Sequence, residues 1–198
     1  MAVSAIILSG GRSSRFGGVH KPGVDLGGRT VISRILAAVR ALDTDAQVWV
    51  AGPTAGLSDA EAESVNAVRE DPEFAGPLAG IAAAARQMGA AEGTTLIIAG
   101  DMPLVTAAHL GEIVSLSEAS GGPVTGTDDR GKAQFLCAAW PHSLLRQRLA
   151  RIGDPENKAV RLLFDDGEPR VIDVDPEVVV DFDTADELAR IRSQIDRG

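Results

Sequence analysis

Three cations and one distant carboxylate carry most of the chemical capacity of this chain. Arg12, Arg15 and Lys21 fall in the glycine-rich stretch LSGGRSSRFGGVHKP (8–22), directly after a short apolar run at 2–8. Glycine lets a backbone approach a ligand closely and present its amides, and a loop between a strand and a helix is where phosphate is commonly held. An arginine adds a planar fork for oxyanions and a lysine a mobile point charge. The combination is anion chemistry, and phosphate is the anion it suits. Two common phosphate loops are excluded. The P-loop needs Lys followed by Ser or Thr, whereas Lys21 precedes Pro22. The dinucleotide pattern G-x-G-x-x-G is missing, and the second expected strand ends in Ala51-Gly52-Pro53 without a ribose-binding acid. Asp101, in IIAGDMPLV, follows an apolar run at the carboxyl edge of an expected strand, where α/β sheets bind ligands. One carboxylate there suits Mg²⁺ bridging phosphates, which takes few protein ligands. It equally suits a turn or a helix N-cap, since Pro103 and Thr106 follow.

These residues stand on an acidic protein. The 198 residues carry a formal net charge of −9, yet residues 1–40 hold six Lys or Arg against the single acid Asp25, a local +5 that leaves −14 for the rest. An acidic body disfavours nucleic acid and anionic membrane, so the basic loop reads as a site for one small anion. No secretory layout opens the chain and no apolar run approaches a membrane span, which points to a cytoplasmic protein. The single cysteine, Cys137, has no ligand partners at zinc spacing and sits in an apolar run, as a buried hydrophobe would. No Ser-His-Asp or Cys-His arrangement supports hydrolysis.

Positioning such residues requires strands that end in loops. The run at 2–8 suits a buried strand, and VISRILAAVRAL (31–42) puts Ile32, Ile35, Leu36, Val39 and Leu42 on one helical face. Strands are expected at 46–52, 66–71 and 94–103, with helices from Pro77 to 88 and at 106–118. This alternation predicts a mostly parallel sheet covered by helices on both faces. Beyond Gly121, segments 122–128 and 133–140 read as an antiparallel pair. Helices are expected at 141–152 and 158–164, strands at 168–174 and 177–183, and a last helix opened by the capping box Thr184-x-x-Glu187. With no linker or repeat, 1–198 is read as a single domain, 1–120 serving the nucleotide and 121–198 the acceptor and the C-terminal part.

LSGGRSSRFGGVHKP resembles the L-[AS]-G-G-x-x-[ST]-R-[MF]-G-x-x-K-P motif of GT-A-like nucleotidyltransferases, with both glycines, Arg15 and Gly17 in register and Lys21-Pro22 one residue further on. The resemblance implies a three-layer α/β/α, Rossmann-like fold and a loop that holds a nucleoside triphosphate. Leu8, Ser9, Gly10 and Gly11 would touch base and sugar; Arg12, Arg15 and Lys21 would surround the phosphates; Asp101 would match the family's D-[MT]-P metal motif. REDPEFAGPLAGIAAA (69–84) resembles the MobA-like molybdenum cofactor guanylyltransferases, which make molybdopterin guanine dinucleotide from GTP and Mo-molybdopterin. Asp71 would then read guanine, and Gly76 to Gly80 would shape the cleft. The resemblance also implies Mg²⁺, and transient contacts with other proteins of molybdenum cofactor biosynthesis.

Two departures stand out. VVVDFDTADEL places Asp181 and Asp183 where those enzymes commonly carry asparagines, as in molybdopterin cytidylyltransferases, and Ala185 replaces a proline. A polar residue after the second strand is replaced by Ala51 or Gly52. The alternatives are a molybdopterin cytidylyltransferase, a sugar-phosphate nucleotidylyltransferase, or a catalytically inactive nucleotide-binding regulator. Arg130, Lys132 and Gln134 lie where such families bind the pterin, although a solvated turn explains them equally. His20 borders the phosphate loop, His109 and His142 read as ordinary surface or helix positions, and Trp49 and Trp140 as packing.

Overall fold

The computed structural model describes residues 2–11, 19–89, 92–127, 132–164, 169–172, 176–182 and 184–195. Among them run seven strands in one sheet: β1 (Val3–Leu8), β2 (Gln47–Ala51), β3 (Asn66–Val68), β4 (Thr94–Ala99), β5 (Val124–Thr127), β6 (Ala133–Pro141) and β7 (Arg170–Ile172). Their order is β3-β2-β1-β4-β6-β5-β7. β1 pairs in parallel with β2 and β4, and β2 with β3; β6 runs antiparallel to both β4 and β5, and β7 returns parallel to β5. The expected antiparallel pair is therefore not an appendage. Its longer strand is built into the sheet against β4.

Six helices cover the sheet: α1 (Val31–Leu42), α2 (Asp59–Glu63), α3 (Pro77–Met88), α4 (Ala107–Ser120), α5 (His142–Ile152) and α6 (Ala185–Ile195). Alternation along β1 sorts the two faces. Ala5 and Ile7 join a core with α1, α4 and α6, through Ile35, Leu36, Ile113 and Ile191. Ile6 joins the opposite core with α3 and α5, through Leu78, Ile81, Trp140 and Leu145. This is the three-layer α/β/α arrangement expected from the alternating pattern. Trp49 and Trp140 are both core residues, and Phe164 packs 4.7 Å from the Trp140 ring.

Local chemistry explains the helix ends. Thr30 caps α1, accepting from the Ser33 N–H, and Thr106 caps α4, accepting from the His109 N–H. Gly76, at φ +95°, turns the chain into α3 with Pro77 in its first turn. At α6 the Thr184 hydroxyl accepts from the Glu187 N–H, and the Glu187 carboxylate accepts from the Thr184 N–H, as the capping box requires.

Three expectations need correction. The stretch 177–183 is not a strand: Pro176–Val179 form a 3-10 turn, and 180–182 follow without regular structure. Val179 and Phe182 pack into the helix-side core instead, which sheet pairing would not allow both to do. The helix expected over 158–164 is a 3-10 turn, Val160–Phe164, and two strands end early, β3 at Val68 rather than 71 and β4 at Ala99 rather than 103. His109 and His142 lie on helices as read, but both are buried rather than at the surface. Among the described residues no helix is long and apolar enough to cross a membrane.

Candidate active site

β1 is followed by β2 on one side and has β4 on the other, so the strand order reverses direction beside it. The carboxyl ends of β1 and β4 therefore frame a crevice of the kind where open α/β sheets bind ligands. Leu8 ends β1 opposite Ala51 and Ala99. Beyond it the loops stay hydrogen-bonded: Ser9 and Gly10 both donate their N–H to the Ala51 carbonyl, at 2.9 and 3.1 Å, and Gly100 donates to the Leu8 carbonyl at 2.9 Å. The buried Ser9 hydroxyl donates to the Pro53 carbonyl. The amides of Ser9 and Gly10 are thus spent inside the loop, and of the two residues only Gly10 is open to a ligand. Gly10 and Gly11 are exposed, and a β-carbon on Gly11 would meet nothing within 4 Å.

Two glycines allow this close approach. A β-carbon on Gly52, at φ +121°, would fall 2.8 Å from the Gly10 Cα and 2.9 Å from the Ser9 carbonyl carbon. One on Gly100 would fall 2.5 Å from the Leu8 oxygen and 3.0 Å from Pro22 Cγ. The position after β2, where a polar contact to nucleotide is missing, is therefore a glycine for reasons of backbone packing.

Lys21 opens a 3-10 turn, Lys21–Gly23, closed by the Val24 N–H donating to the Lys21 carbonyl at 3.0 Å. Pro22 within that turn touches the Gly100 region, and the two loops meet side chain to side chain. Lys21 Nζ lies 3.3 Å from Asp101 Oδ2, with 11% of the lysine side chain and 26% of the aspartate side chain exposed. The Phe182 ring centroid lies 5.4 Å from the same ammonium. Since Thr106 caps α4, Asp101 is not that helix's cap; it is a turn residue whose carboxylate faces the cleft lysine. The structure thus brings together Lys21 and Asp101, which the sequence separates widely. Arg12, Arg15, Arg130 and Asp183 lie outside the described residues.

Residues after β3 form the other end of the cleft. Asp71 is exposed and lines a cavity of about 240 Å³ with Glu70, Ala79, Arg86 and Asp154. Glu70, passed over in the sequence in favour of Asp71, stands closer to the first loop. Its Oε1 accepts from the Phe74 N–H at 3.2 Å and lies 3.9 Å from where a β-carbon on Gly10 would sit, and its Oε2 lies 3.9 Å from the same point on Gly80. Two adjacent acids give no local signal of which one turns inward. A β-carbon on Gly80 would press to 3.3 Å on Ala51 Cβ and 3.4 Å on Leu8 Cδ2, so this glycine sets how closely α3 approaches the ends of β1 and β2.

Of the remaining candidates, the two helix histidines and Cys137 are buried in the core. His142 Nε2 lies 3.2 Å from the Gly89 carbonyl and must donate to it; Nδ1 then accepts from the Thr95 hydroxyl at 2.8 Å. His109 Nε2 lies 3.5 Å from the Cys137 sulfur. Burial pushes the His109 pKa down from 6.5, against an opposing pull from Glu112, so acid below that value favours the unfolded chain, where the imidazole protonates more easily. Burial also pushes the Cys137 thiol up to about 12. Iodoacetamide at pH 8 is accordingly expected to leave the folded protein unmodified and to label it fully in denaturant, as intact mass will show. Lys132 is exposed and Gln134 half-buried, its carbonyl accepting from the Thr125 hydroxyl at 2.6 Å. His20 lies with its ring against Gly23.

Comparison with known proteins agrees with this geometry. Curated protein sequences yield no match. A nucleotidyl transferase from Methanothermobacter thermautotrophicus is similar at 27% identity and a TM-score of 0.71, over 99% of this chain and 98% of that one. The molybdopterin-guanine dinucleotide biosynthesis protein A of Archaeoglobus fulgidus, at 20% identity and TM-score 0.69, covers 98% of this chain and 100% of its own. The 2-C-methyl-D-erythritol 4-phosphate cytidylyltransferase of Thermus thermophilus, at 19% identity and TM-score 0.67, covers 99% and 100%. These two share the fold. The model of the MobA-like NTP transferase domain matches residues 5–169, spanning β1 and the cleft loops, and the chain belongs to that family of nucleotidyltransferases.

Proposed function

We propose that this nucleotidyltransferase moves GMP from GTP to the terminal phosphate of Mo-molybdopterin, giving molybdopterin guanine dinucleotide and pyrophosphate. The observation that carries the reading is the Lys21–Asp101 pair at the switch point between β1 and β4. In this reaction a phosphate oxygen of the acceptor forms a bond to the α-phosphorus of GTP, and the bridging α–β bond breaks to release pyrophosphate. Negative charge gathers on the α-phosphoryl oxygens and on the leaving group, so fixed cations there stabilise the transition state. Lys21 supplies one such cation, and Arg12 and Arg15 supply two more from the phosphate loop. The acceptor phosphate is already anionic, so no strong general base is required. Positioning and electrostatics account for the catalysis.

Asp101 suits Mg²⁺ in one respect: it is a single, partly exposed carboxylate at the cleft, and Mg²⁺ is commonly held by one or two carboxylates plus substrate phosphates and water. Bound there, the ion would neutralise charge on the α- and β-phosphates.

Guanine is favoured by the acids beyond β3. A carboxylate accepts from N1–H and the 2-amine of guanine together, which adenine does not offer; Glu70 stands next to the first loop, and it and Asp71 line the cavity beside α3. Asp181, in DFDTADEL, favours the second reading, cytidylyl transfer to the same pterin. Thermal unfolding with Mg²⁺ and each of GTP, CTP, ATP and UTP separates them. GTP is expected to raise the midpoint most. Stabilisation by CTP alone would replace guanylyl by cytidylyl transfer, and stabilisation by none would overturn both readings.

A further inference from the structure

We propose that Phe182 is a positioning residue that holds the Lys21 ammonium in place, which makes the segment before α6 part of the active centre. The family match ends at residue 169, so this contribution comes from beyond the matched stretch. Phe182 is fully buried, packed with Val179, Leu188 and Ile191 on the α6 side of the sheet. Its ring centroid lies 5.4 Å from Lys21 Nζ, within the range over which a ring face attracts an ammonium. The attraction grows as water is excluded, and here the lysine side chain is 11% exposed.

Asp101 and Phe182, which both flank the ammonium, differ in what they cost it. Asp101, 3.3 Å away, takes a directed hydrogen bond and is itself drawn to any cation that a nucleotide brings. The Phe182 face attracts the charge without taking a directed hydrogen bond, and it neither titrates nor binds metal. It therefore keeps the amine aimed into the cleft while the N–H groups turn to phosphate oxygens, whatever Asp101 does. Two features fix α6, which follows Phe182: the Thr184–Glu187 capping box at its start, and Arg192 Nη2, which donates to the Asp25 carbonyl at 3.4 Å.

The use of this contact in turnover rests on reading Lys21 as the phosphate-facing cation; the contact itself does not. A graded test replaces Phe182 by mono-, di- and trifluorophenylalanine, which weakens the ring's negative face at nearly constant shape, with Phe182→Trp and Phe182→Leu as the conservative and the ablating variants. The chain has three lysines, Lys21, Lys132 and Lys158, so the ε-methylene signals of a lysine-labelled sample are easily assigned. The Lys21 signal is expected upfield of the other two in the unmodified protein and in Phe182→Trp, and among them in Phe182→Leu. Turnover is expected to fall stepwise with fluorination, to about tenfold for the trifluoro ring, at an unchanged thermal midpoint, and to be retained in Phe182→Trp. An ordinary Lys21 shift, or turnover that stays flat across the fluorinated series, overturns the proposal. A shifted Lys21 signal in a protein that turns over no nucleotide supports the positioning and overturns the functional reading instead.

Discussion

Lys21→Ala and Asp101→Ala are each expected to lower turnover by about 10²–10³-fold while the protein remains folded, since removing one preorganised electrostatic group commonly costs that much. The expectation follows from where the pair sits. Both residues lie beyond strand ends, in loops tied to β1, and neither belongs to the apolar clusters that hold the layers together. The side chains face each other across the cleft at 3.3 Å, close enough to meet the same phosphate. Their effects should not add: with both side chains facing one phosphate, either loss misplaces it and the second loss costs less than the first. Steady-state rates for the two single variants and the double variant, beside far-ultraviolet spectra, check this. A near-normal rate in either single variant would remove the pair from the mechanism.

Gly52→Ala is the second large effect, and it acts through the backbone. The new β-carbon would stand 2.8 Å from the Gly10 Cα and 2.9 Å from the Ser9 carbonyl carbon, at a φ of +121° that side chains rarely adopt. Backbone strain of this kind costs roughly 1–3 kcal/mol, and here the first loop must also move away from Ala51. A loss of about 3 kcal/mol should lower the thermal midpoint by roughly 6–12 °C in a chain of this size. Nucleotide affinity should fall with it, because the displaced loop carries Ser9 and Gly10. Gly28→Ala provides the control: its φ is +80°, yet a β-carbon there would meet nothing within 4 Å. It should cost about 1 kcal/mol, with unchanged nucleotide binding. Equal losses in both variants would mean that backbone strain alone, and not the packing of the two loops, governs position 52.

Much of this architecture was legible locally. The helical face of α1, Pro77 opening α3, the capping box of α6 and the strand-to-loop transition at Ser9 all follow from residues within one or two turns of each other. So did the meeting of Lys21 and Asp101, because parallel strands deliver their loops to the same edge. Other features depend on distant partners. The run 177–183 has strand composition, but Phe182 finds a better burial beside α6 and Lys21 than any free sheet edge provides. Glu70 and Asp71 differ only in which way the loop after β3 turns. The short helix α2 was overlooked although its signal was present: Ser58 and Glu61 form a capping box, and the Ser33 hydroxyl donates to Glu61 at 2.5 Å. Gly52 and Gly100 are explained by contacts with other strands that no local pattern encodes.

Guanylyl transfer is tested most directly by its product. The protein is incubated with Mg²⁺, Mo-molybdopterin and GTP or CTP, with pyrophosphate and pterin dinucleotide followed together. Molybdopterin guanine dinucleotide and pyrophosphate in equal amounts from GTP, with little from CTP, is the predicted result; a dinucleotide formed from CTP only, or no pyrophosphate from GTP, would contradict it.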